Sequence, residues 1–445
     1  MPARNVNMLS GPLYRELLAF SLPIAVTGIL EQLFNATDTM VLGRFEGTAA
    51  MAAVGNNITI ISLIVALLMG ISLGANVVIA QYIGARRLKE ATRTIHTALL
   101  FSLLLGLAVA VLGQWPVAWA LDALAVPTAV QPTAEVYLRI YLAGMPFLSL
   151  YNFAAAILRS RGDAQTPLYA LIIASVLNIV LDLAFVLVFD WGTAGVAVAT
   201  VLSYIVCSLH LVRHMIRVPG ILHLELGLLR IHFGELVKCL RIGLPAALQG
   251  MVFCIANLVI QNAINSLGPE TMAASAAAFT IEINMYCFSI GFQQAATTFV
   301  GQNFGARQYA RCREATRDCA ILNAITMIVL GALIYVFMYP LLGFFSTNPV
   351  VIENAVTRIE YVVLPELLCV GFDICSGALR GYGVSLAPAI ATLISVCGVR
   401  LIGVWWYFPT HPVFANLMIL FPISWIVADV LIISLYRMHL RHLRA

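Results

Sequence analysis

Leu22-Pro23-Ile24-Ala25-Val26-Thr27-Gly28-Ile29-Leu30-Glu31-Gln32-Leu33-Phe34-Asn35-Ala36-Thr37-Asp38 reads as the heart of a membrane-spanning helix. It nevertheless carries a proline, a glutamate, an asparagine and an aspartate. Polar groups cost free energy in hydrocarbon, so each calls for a partner or a task. Glu31, Asn35 and Asp38 stand at i, i+4 and i+7, which puts them on one helical face. That spacing predicts that the face lines an internal polar cavity and that Asp38 exchanges an ion.

The remainder of the chain has the same character. Of 445 residues, 61% are hydrophobic and only 10% charged, with a mean hydropathy of +0.94. A water-soluble surface on a chain of this length needs far more charge. The fold class is therefore an all-α polytopic membrane protein. Residues 1–13 lack an apolar run followed by a small-residue cleavage site, so the first span is expected to act as its own insertion signal. The net charge of +4 does not point to nucleic acid, because the basic residues recur between apolar segments instead of pooling. The nine cysteines are scattered, without a CxxC pair, and read as small buried apolar residues.

A crossing takes about 20 apolar residues. On that rule twelve spans are expected, centred near residues 30, 65, 105, 148, 178, 204, 252, 286, 328, 366, 397 and 424. Lysine and arginine favour the cytoplasmic side. With both termini inside, that side holds every Lys and Arg except Arg44, Arg139, Arg358 and Arg400. Trp115, Trp119, Trp191, Trp405 and Trp406 then fall near the opposite interface.

An internal repeat organises the spans. Leu22-Pro23 with Gly28 matches Leu244-Pro245 with Gly250. Gln81-Tyr82-Ile83-Gly84-Ala85-Arg86 matches Gln302-Asn303-Phe304-Gly305-Ala306-Arg307. Glu90-Ala91-Thr92-Arg93 matches Glu314-Ala315-Thr316-Arg317. Leu158-Arg159, Gly162 and Pro167 match Leu379-Arg380, Gly383 and Pro388. The chain is thus expected to form two six-helix lobes related by a pseudo-two-fold along the membrane normal. The N-lobe is 1–217, a cytoplasmic linker 218–235, and the C-lobe 236–445. Parallel repeats of this kind are a transporter architecture, with the substrate site at the repeat interface.

The repeat is informative where it fails. Asp38 corresponds to about Ile260, so its acid belongs to one half only. A second acid lies in span five, where Asn178 and Asp182 are i and i+4 with Ser175 one turn back. If Asp38 and Asp182 face one cavity they titrate as a pair. Thr200 in span six adds a hydroxyl. Two carboxylates, an amide and a hydroxyl form an all-oxygen set that suits a proton or a hard cation such as Na+. Asp38, Asn178, Asp182 and Thr200 are the candidate cation- or proton-binding residues, and the metal ligands if Na+ is the coupling ion. Glu31, Asn35, Gln249, Asn257, Glu282, Glu366 and Asp373 are possible cavity-lining groups, or polar contacts that join helices. Pro23, about four turns before Asp38, is the candidate conformational hinge. Gly70-x-x-x-Gly74 reads as close helix packing.

These motifs together resemble the multidrug and toxic compound extrusion (MATE) transporters over nearly the whole chain. The likeness rests on Pro23 with Asp38, the Gln-x-x-Gly-Ala segments, and Ala378-Leu379-Arg380-Gly381-Tyr382-Gly383. Asn178-x-x-x-Asp182 followed by Thr200 resembles the N-lobe cation site of the family's DNA-damage-inducible subfamily. The resemblance implies a V-shaped pair of six-helix lobes and alternating access. It implies export of amphiphilic, often cationic compounds in antiport with H+ or Na+, with no cofactor and no enzymatic activity. Another branch of the family uses a C-lobe acid pair on spans seven and ten. Here the span-seven position falls near Phe253 and Asp373 lies about a turn away from the other, so the ion is assigned to the N-lobe.

A lipid-linked saccharide flippase of the same superfamily is the alternative. It calls for cationic cavity residues, and few arginines lie within spans, Arg400 most clearly. No HExxH, no aspartyl-protease signature and no pore loop is present. The expected setting is the bacterial inner membrane, as a monomer that meets drug-like small molecules and lipid.

Overall fold

The computed structural model describes residues 6–124 and 126–443, with backbone alone at 48 and 49. Arg4 and Arg444, two of the basic residues assigned to the cytoplasmic side, lie outside the described residues. Among those described, eleven helices are each long and apolar enough to cross a bilayer, and a bent pair makes a twelfth. They are α1 (Leu13–Phe45), α2 (Thr48–Gly84), α3 (Leu88–Leu112), the bent α4 (Gln131–Ala143 with Met145–Ser160), α5 (Gln165–Leu187) and α6 (Gly192–Arg217). The second set is α7 (Phe233–Asn265), α8 (Pro269–Gly305) and α9 (Tyr309–Gly343), then α10 (Pro349–Gly381), α11 (Leu386–Thr410) and α12 (Phe414–His442). Each encloses the centre expected from the sequence. The 48° bend in α4 falls at Gly144, where Pro146 follows and cannot donate an amide to the turn before it.

The polarity of the helices is inverted relative to a water-soluble fold. On α5, Ala170, Ala174, Asn178, Asp182 and Val186 form a buried stripe at fourfold spacing. On its other side Val176 is 59% and Val180 58% exposed. A helix that turns valine outward and an aspartate inward has hydrocarbon as its solvent. The five tryptophans expected near an interface are all exposed.

Contacts divide the chain into two compact units, and the divisions fall inside helices. One unit comprises 1–6 and 26–247, the other 7–25 and 248–445. The breaks follow Pro23 and Pro245 by two residues. Within the first unit, Gly70 of α2 lies against Ala247 of α7, and Gly74 against Cys239 and Gly243. Within the second, Gly291 of α8 lies against Ser21 and Ala25 of α1. These are repeat-equivalent contacts, and they explain the Gly-x-x-x-Gly pattern as close backbone approach.

The repeat is also legible in the backbone. Arg86 and Arg307 both adopt the left-handed region, at φ 57° and 60°, as do Gly162 and Gly383, at 100° and 89°. In each case the next amide returns to the preceding helix: Arg87 to Tyr82, Gln308 to Asn303, Asp163 to Leu158 and Val384 to Leu379. For arginine that conformation costs about 1–2 kcal/mol.

Two regions depart from regular helix. In α10 a π-turn (Ile359–Val363) runs into a 3-10 turn (Leu364–Leu368), and α11 contains two π-turns (Leu393–Gly398 and Gly403–Tyr407). Pro365 removes one helix donor at that point. The segment after α6 is tied down: Leu222 and Leu224 are buried. His96 Nε2 accepts the Glu225 amide at 3.2 Å, and Thr97 Oγ1 donates to the Arg230 carbonyl at 3.2 Å.

Candidate functional site

The first unit brings three helices together around two acids. On α1 the buried stripe is Phe34, Asp38 and Leu42. Asp38 is 2% exposed, Asn178 and Asp182 are 0%, and Thr200 is 1%. The Thr200 hydroxyl donates to Asp38 Oδ2 at 2.9 Å and lies 3.0 Å from the Val196 carbonyl. A hydroxyl has one proton, so only one of those two contacts is a donated bond at a time. Asn178 Nδ2 donates to Asp182 Oδ1 at 3.4 Å, near the long limit. The Asp38 and Asp182 carboxyls lie close enough to interact. Two carboxylates so placed repel each other unless a proton or a cation comes between them.

Several acceptors remain over. Asp38 Oδ1, Asp182 Oδ2 and Asn178 Oδ1 are buried, with no N–H or hydroxyl reaching them among the described residues. No ion pair to either acid occurs among the described residues. Buried oxygens in this state call for a proton or a cation. No group of three or more His, Cys, Asp or Glu suited to a metal occurs among the described residues. The oxygens of Asp38, Asp182, Asn178 and Thr200 are a hard set of the kind that takes Na+ or H+ rather than a soft metal.

Not all of the α1 face follows the expected spacing. Asn35 is exposed, and Glu31 is half-buried. The stripe runs 34, 38, 42 with Asp38 at its centre, and Asn35 stands about 60° from that centre. Glu31 faces the Arg159 guanidinium and the Tyr151 hydroxyl.

The second unit is polar in a different way. Arg358 Nη2 lies 2.8 Å from Glu282 Oε2, and its Nη1 donates to Ser275 at 2.6 Å. Arg400, 1% exposed, donates to Asn257 Oδ1 at 3.1 Å and Ser424 at 3.2 Å, and its guanidinium lies 4.1 Å from the Phe421 ring centroid. Arg380 donates to Gln249 Oε1 at 2.7 Å, and Gln249 donates onward to Thr392 at 2.9 Å. Asp373 accepts from Gln293 at 2.8 Å, Ser289 at 3.0 Å and Tyr286 at 3.4 Å. Glu366 is buried, with Oε2 unpartnered among the described residues. Gln249, Asn257, Glu282 and Asp373 are thus held by arginines or by amide and hydroxyl donors. The sequence pointed to Arg400 as the clearest arginine within a span; Arg358 and Arg380 are buried within spans as well.

Four buried or half-buried tyrosines of this unit were not singled out from the sequence. Tyr137 and Tyr141 stack at 6.2 Å, and Tyr151 and Tyr204 rings lie 6.1 Å apart. The i, i+4 spacing of Tyr137 and Tyr141 was the available signal.

Known proteins share this architecture. The MatE family model matches residues 23–184 and again 245–406, so each match begins on a first-span proline and the second starts 222 residues after the first. A probable multidrug resistance protein of Bacillus subtilis, YoeA, is 28% identical over 397 residues, 87% of this chain and 85% of its own. A probable multidrug resistance protein of Thermotoga maritima, NorM, is 28% identical over 400 residues, 87% of this chain and 84% of its own. An outward-facing multidrug resistance MATE transporter superposes with a TM-score of 0.91 at 24% identity, covering 100% of this chain and 99% of that one, a likeness of fold. With a family model on both halves of the repeat, the chain belongs to the MatE family of multidrug transporters, multi-pass membrane proteins and not enzymes.

Proposed function

We propose that the protein is a secondary antiporter that exports amphiphilic, often cationic compounds in exchange for H+ or Na+ by alternating access. The observation that carries this reading is the acid pair. Asp38 and Asp182 are buried against each other, keep unpartnered oxygens, and have no basic partner among the described residues. A pair of that kind gains most from a cation that comes and goes. In the second unit, by contrast, Glu282 has Arg358 and Asp373 has three donors. The placement of the ion on Asp38, Asn178, Asp182 and Thr200 supports assignment to the DNA-damage-inducible subfamily.

The cycle follows from charge. Substrate occupies the cavity when the pair is ionised. Ion entry from outside neutralises it, α1 changes shape about Pro23, and substrate leaves. Each elementary charge crossing the membrane contributes roughly 2.3 kcal/mol per 100 mV, enough for more than a tenfold substrate gradient at about 1.4 kcal/mol per decade. The same reading takes the lobes as 1–217 and 236–445, the protein as a monomer without cofactor, and the membrane as the bacterial inner membrane with both termini inside. Saccharide-lipid flipping is the weaker reading, because the buried arginines are already engaged by Glu282, Asn257, Gln249 and Ser275.

Dye efflux from inverted vesicles, driven separately by a pH and a sodium gradient, tests the proposal. Asp38→Asn and Asp182→Asn are each expected to abolish coupled efflux. Undiminished efflux in both variants removes the acid pair from the mechanism.

A further inference from the structure

The segment that joins the repeats, 218–235, exposes apolar side chains where a water-facing loop would carry polar ones. Leu226 and Leu228, on a short 3-10 turn, are 62% and 54% exposed, and Phe233, which opens α7, is 76% exposed. The backbone on both sides of that turn is held. The Glu225 amide donates to His96 Nε2 on α3, at 3.2 Å. Thr97 Oγ1 meets the Arg230 carbonyl at 3.2 Å and the His232 amide at 3.1 Å. Leu222 and Leu224, just before the turn, are buried. The segment therefore keeps two leucines in and presents two outward from an anchored backbone.

The outward face continues along α7. Phe233, Val237 and Leu244 are exposed and fall within about 40° of one another around the helix. The start of α7 thus turns outward the same face that meets hydrocarbon deeper in the span. Arg241 is exposed at the edge of that face, between Val237 and Leu244. Helical side chains lean toward the N-terminus. Here that is the loop end, so the Arg241 guanidinium leans out of the hydrocarbon toward the level of Phe233. A long basic side chain so placed lays its methylenes on apolar surface and keeps its charge at the headgroups. Arg230, also exposed, precedes Phe233 by three residues. No acid pairs with Arg230 or Arg241 among the described residues. Glu235, the acid between them, is taken by Lys238 at 3.0 Å and by the Tyr82 hydroxyl at 2.7 Å.

The repeat separates this face from the shared scaffold. The position equivalent to Arg241, 222 residues earlier on α1, is Ala19, and that of Phe233 is Gly11. A first span is built without them. We propose that residues 226–241 form a platform on the leaflet beside the basic loops, with Leu226, Leu228 and Phe233 among the acyl chains and Arg230 and Arg241 on the phosphates of anionic phospholipid. Exposed apolar surface rimmed by basic groups fits that partner twice over. The chains cover the apolar side chains, and a phosphate accepts from the planar fork of a guanidinium. Zwitterionic lipid offers the same chains without the net charge. The platform goes beyond the antiport reading and does not depend on it.

The test uses purified full-length protein in a neutral detergent, titrated with phosphatidylglycerol or phosphatidylcholine, with bound lipid read by native mass spectrometry. Wild type is expected to bind phosphatidylglycerol about tenfold more tightly, the contribution of two basic groups at a bilayer surface. Arg230→Gln with Arg241→Gln is expected to remove that preference. Arg441→Gln, which removes an exposed arginine of α12, should leave it in place. Leu226→Asp with Leu228→Asp should weaken both lipids by about tenfold or more, as two leucines lose their apolar cover. All these positions are at the surface, so the lipid-free variants should unfold at the wild-type midpoint. Equal affinity of wild type for the two lipids overturns the proposal, as does an undiminished preference in the double arginine variant. A loss in Arg441→Gln as large as in that variant overturns it too, because any basic surface would then serve. Unchanged binding in the leucine variant removes the turn from the leaflet and overturns the platform. A dimer in detergent that the leucine variant dissociates also overturns it, by assigning the face to a second copy of the chain.

Discussion

Thr200 places its hydroxyl 2.9 Å from Asp38 Oδ2 across 162 positions of sequence, and that contact joins α6 to α1 at the acid pair. Thr200→Val keeps the shape and removes the donor. A hydrogen bond to a charged acceptor contributes about 1.5–3 kcal/mol, and about 1.4 kcal/mol is tenfold in an equilibrium constant. The ion concentration for half-maximal efflux is therefore expected to shift about tenfold in Thr200→Val and little in Thr200→Ser. An unchanged midpoint in the valine variant counts against the contact.

Arg358 and Glu282 form a buried pair in the second unit. Removing one partner leaves an uncompensated charge, which costs about 3–5 kcal/mol. Arg358→Met is expected to lower the thermal unfolding midpoint in detergent sharply. Arg358→Met with Glu282→Gln should recover much of that loss. Equal losses in the single and double variants would show that packing over Phe279 and Phe421, not charge, is what Arg358 supplies.

The glycines divide by what surrounds them. A Cβ on Gly291 would meet the Ser21 carbonyl at 2.6 Å, and one on Gly74 would collide with the Cys239 carbonyl. Overpacking of this kind costs about 1–3 kcal/mol. Gly55 has nothing within 4 Å, and alanine there gains helix propensity of up to about 1 kcal/mol. Unfolding midpoints of the three alanine variants should fall for Gly74 and Gly291 and hold or rise for Gly55.

The outward valines give a chemical prediction. In a background without the native cysteines, Val180→Cys should react with a membrane-permeant, lipid-soluble maleimide and resist a charged one. Asn178→Cys should resist both. Rapid reaction of Val180→Cys with the charged reagent would mean that α5 is turned the other way.

Much of this was legible in the chain. The spans followed from apolar length, and the repeat from Pro23 with Pro245 and Leu158-Arg159 with Leu379-Arg380. Asn178 and Asp182 announced a shared face by spacing alone. What the sequence did not show were partnerships between distant positions. Nothing local ties Glu282 to Arg358, 76 residues on, or Asp373 to Gln293, and a periodicity says which way a residue points but not what it meets. Asn35 is the related case. An idealised i, i+4 step placed it with Glu31, but the face that packs runs through Phe34, Asp38 and Leu42, and Asn35 stands to one side of it. The π-turns of α10 and α11 were equally out of reach, since only Pro365 hints at one of them.

The matched turns at Arg86 and Arg307 have a historical consequence. A left-handed arginine is an unfavoured choice, and finding it twice at equivalent positions marks the halves as copies of one ancestral gene segment. Six crossings per copy bring both copies into the bilayer in the same sense, so doubling required no inversion. In such a lineage the contrast between Asp38 and Ile260 dates from after the duplication, and each half serves as the natural control for the other.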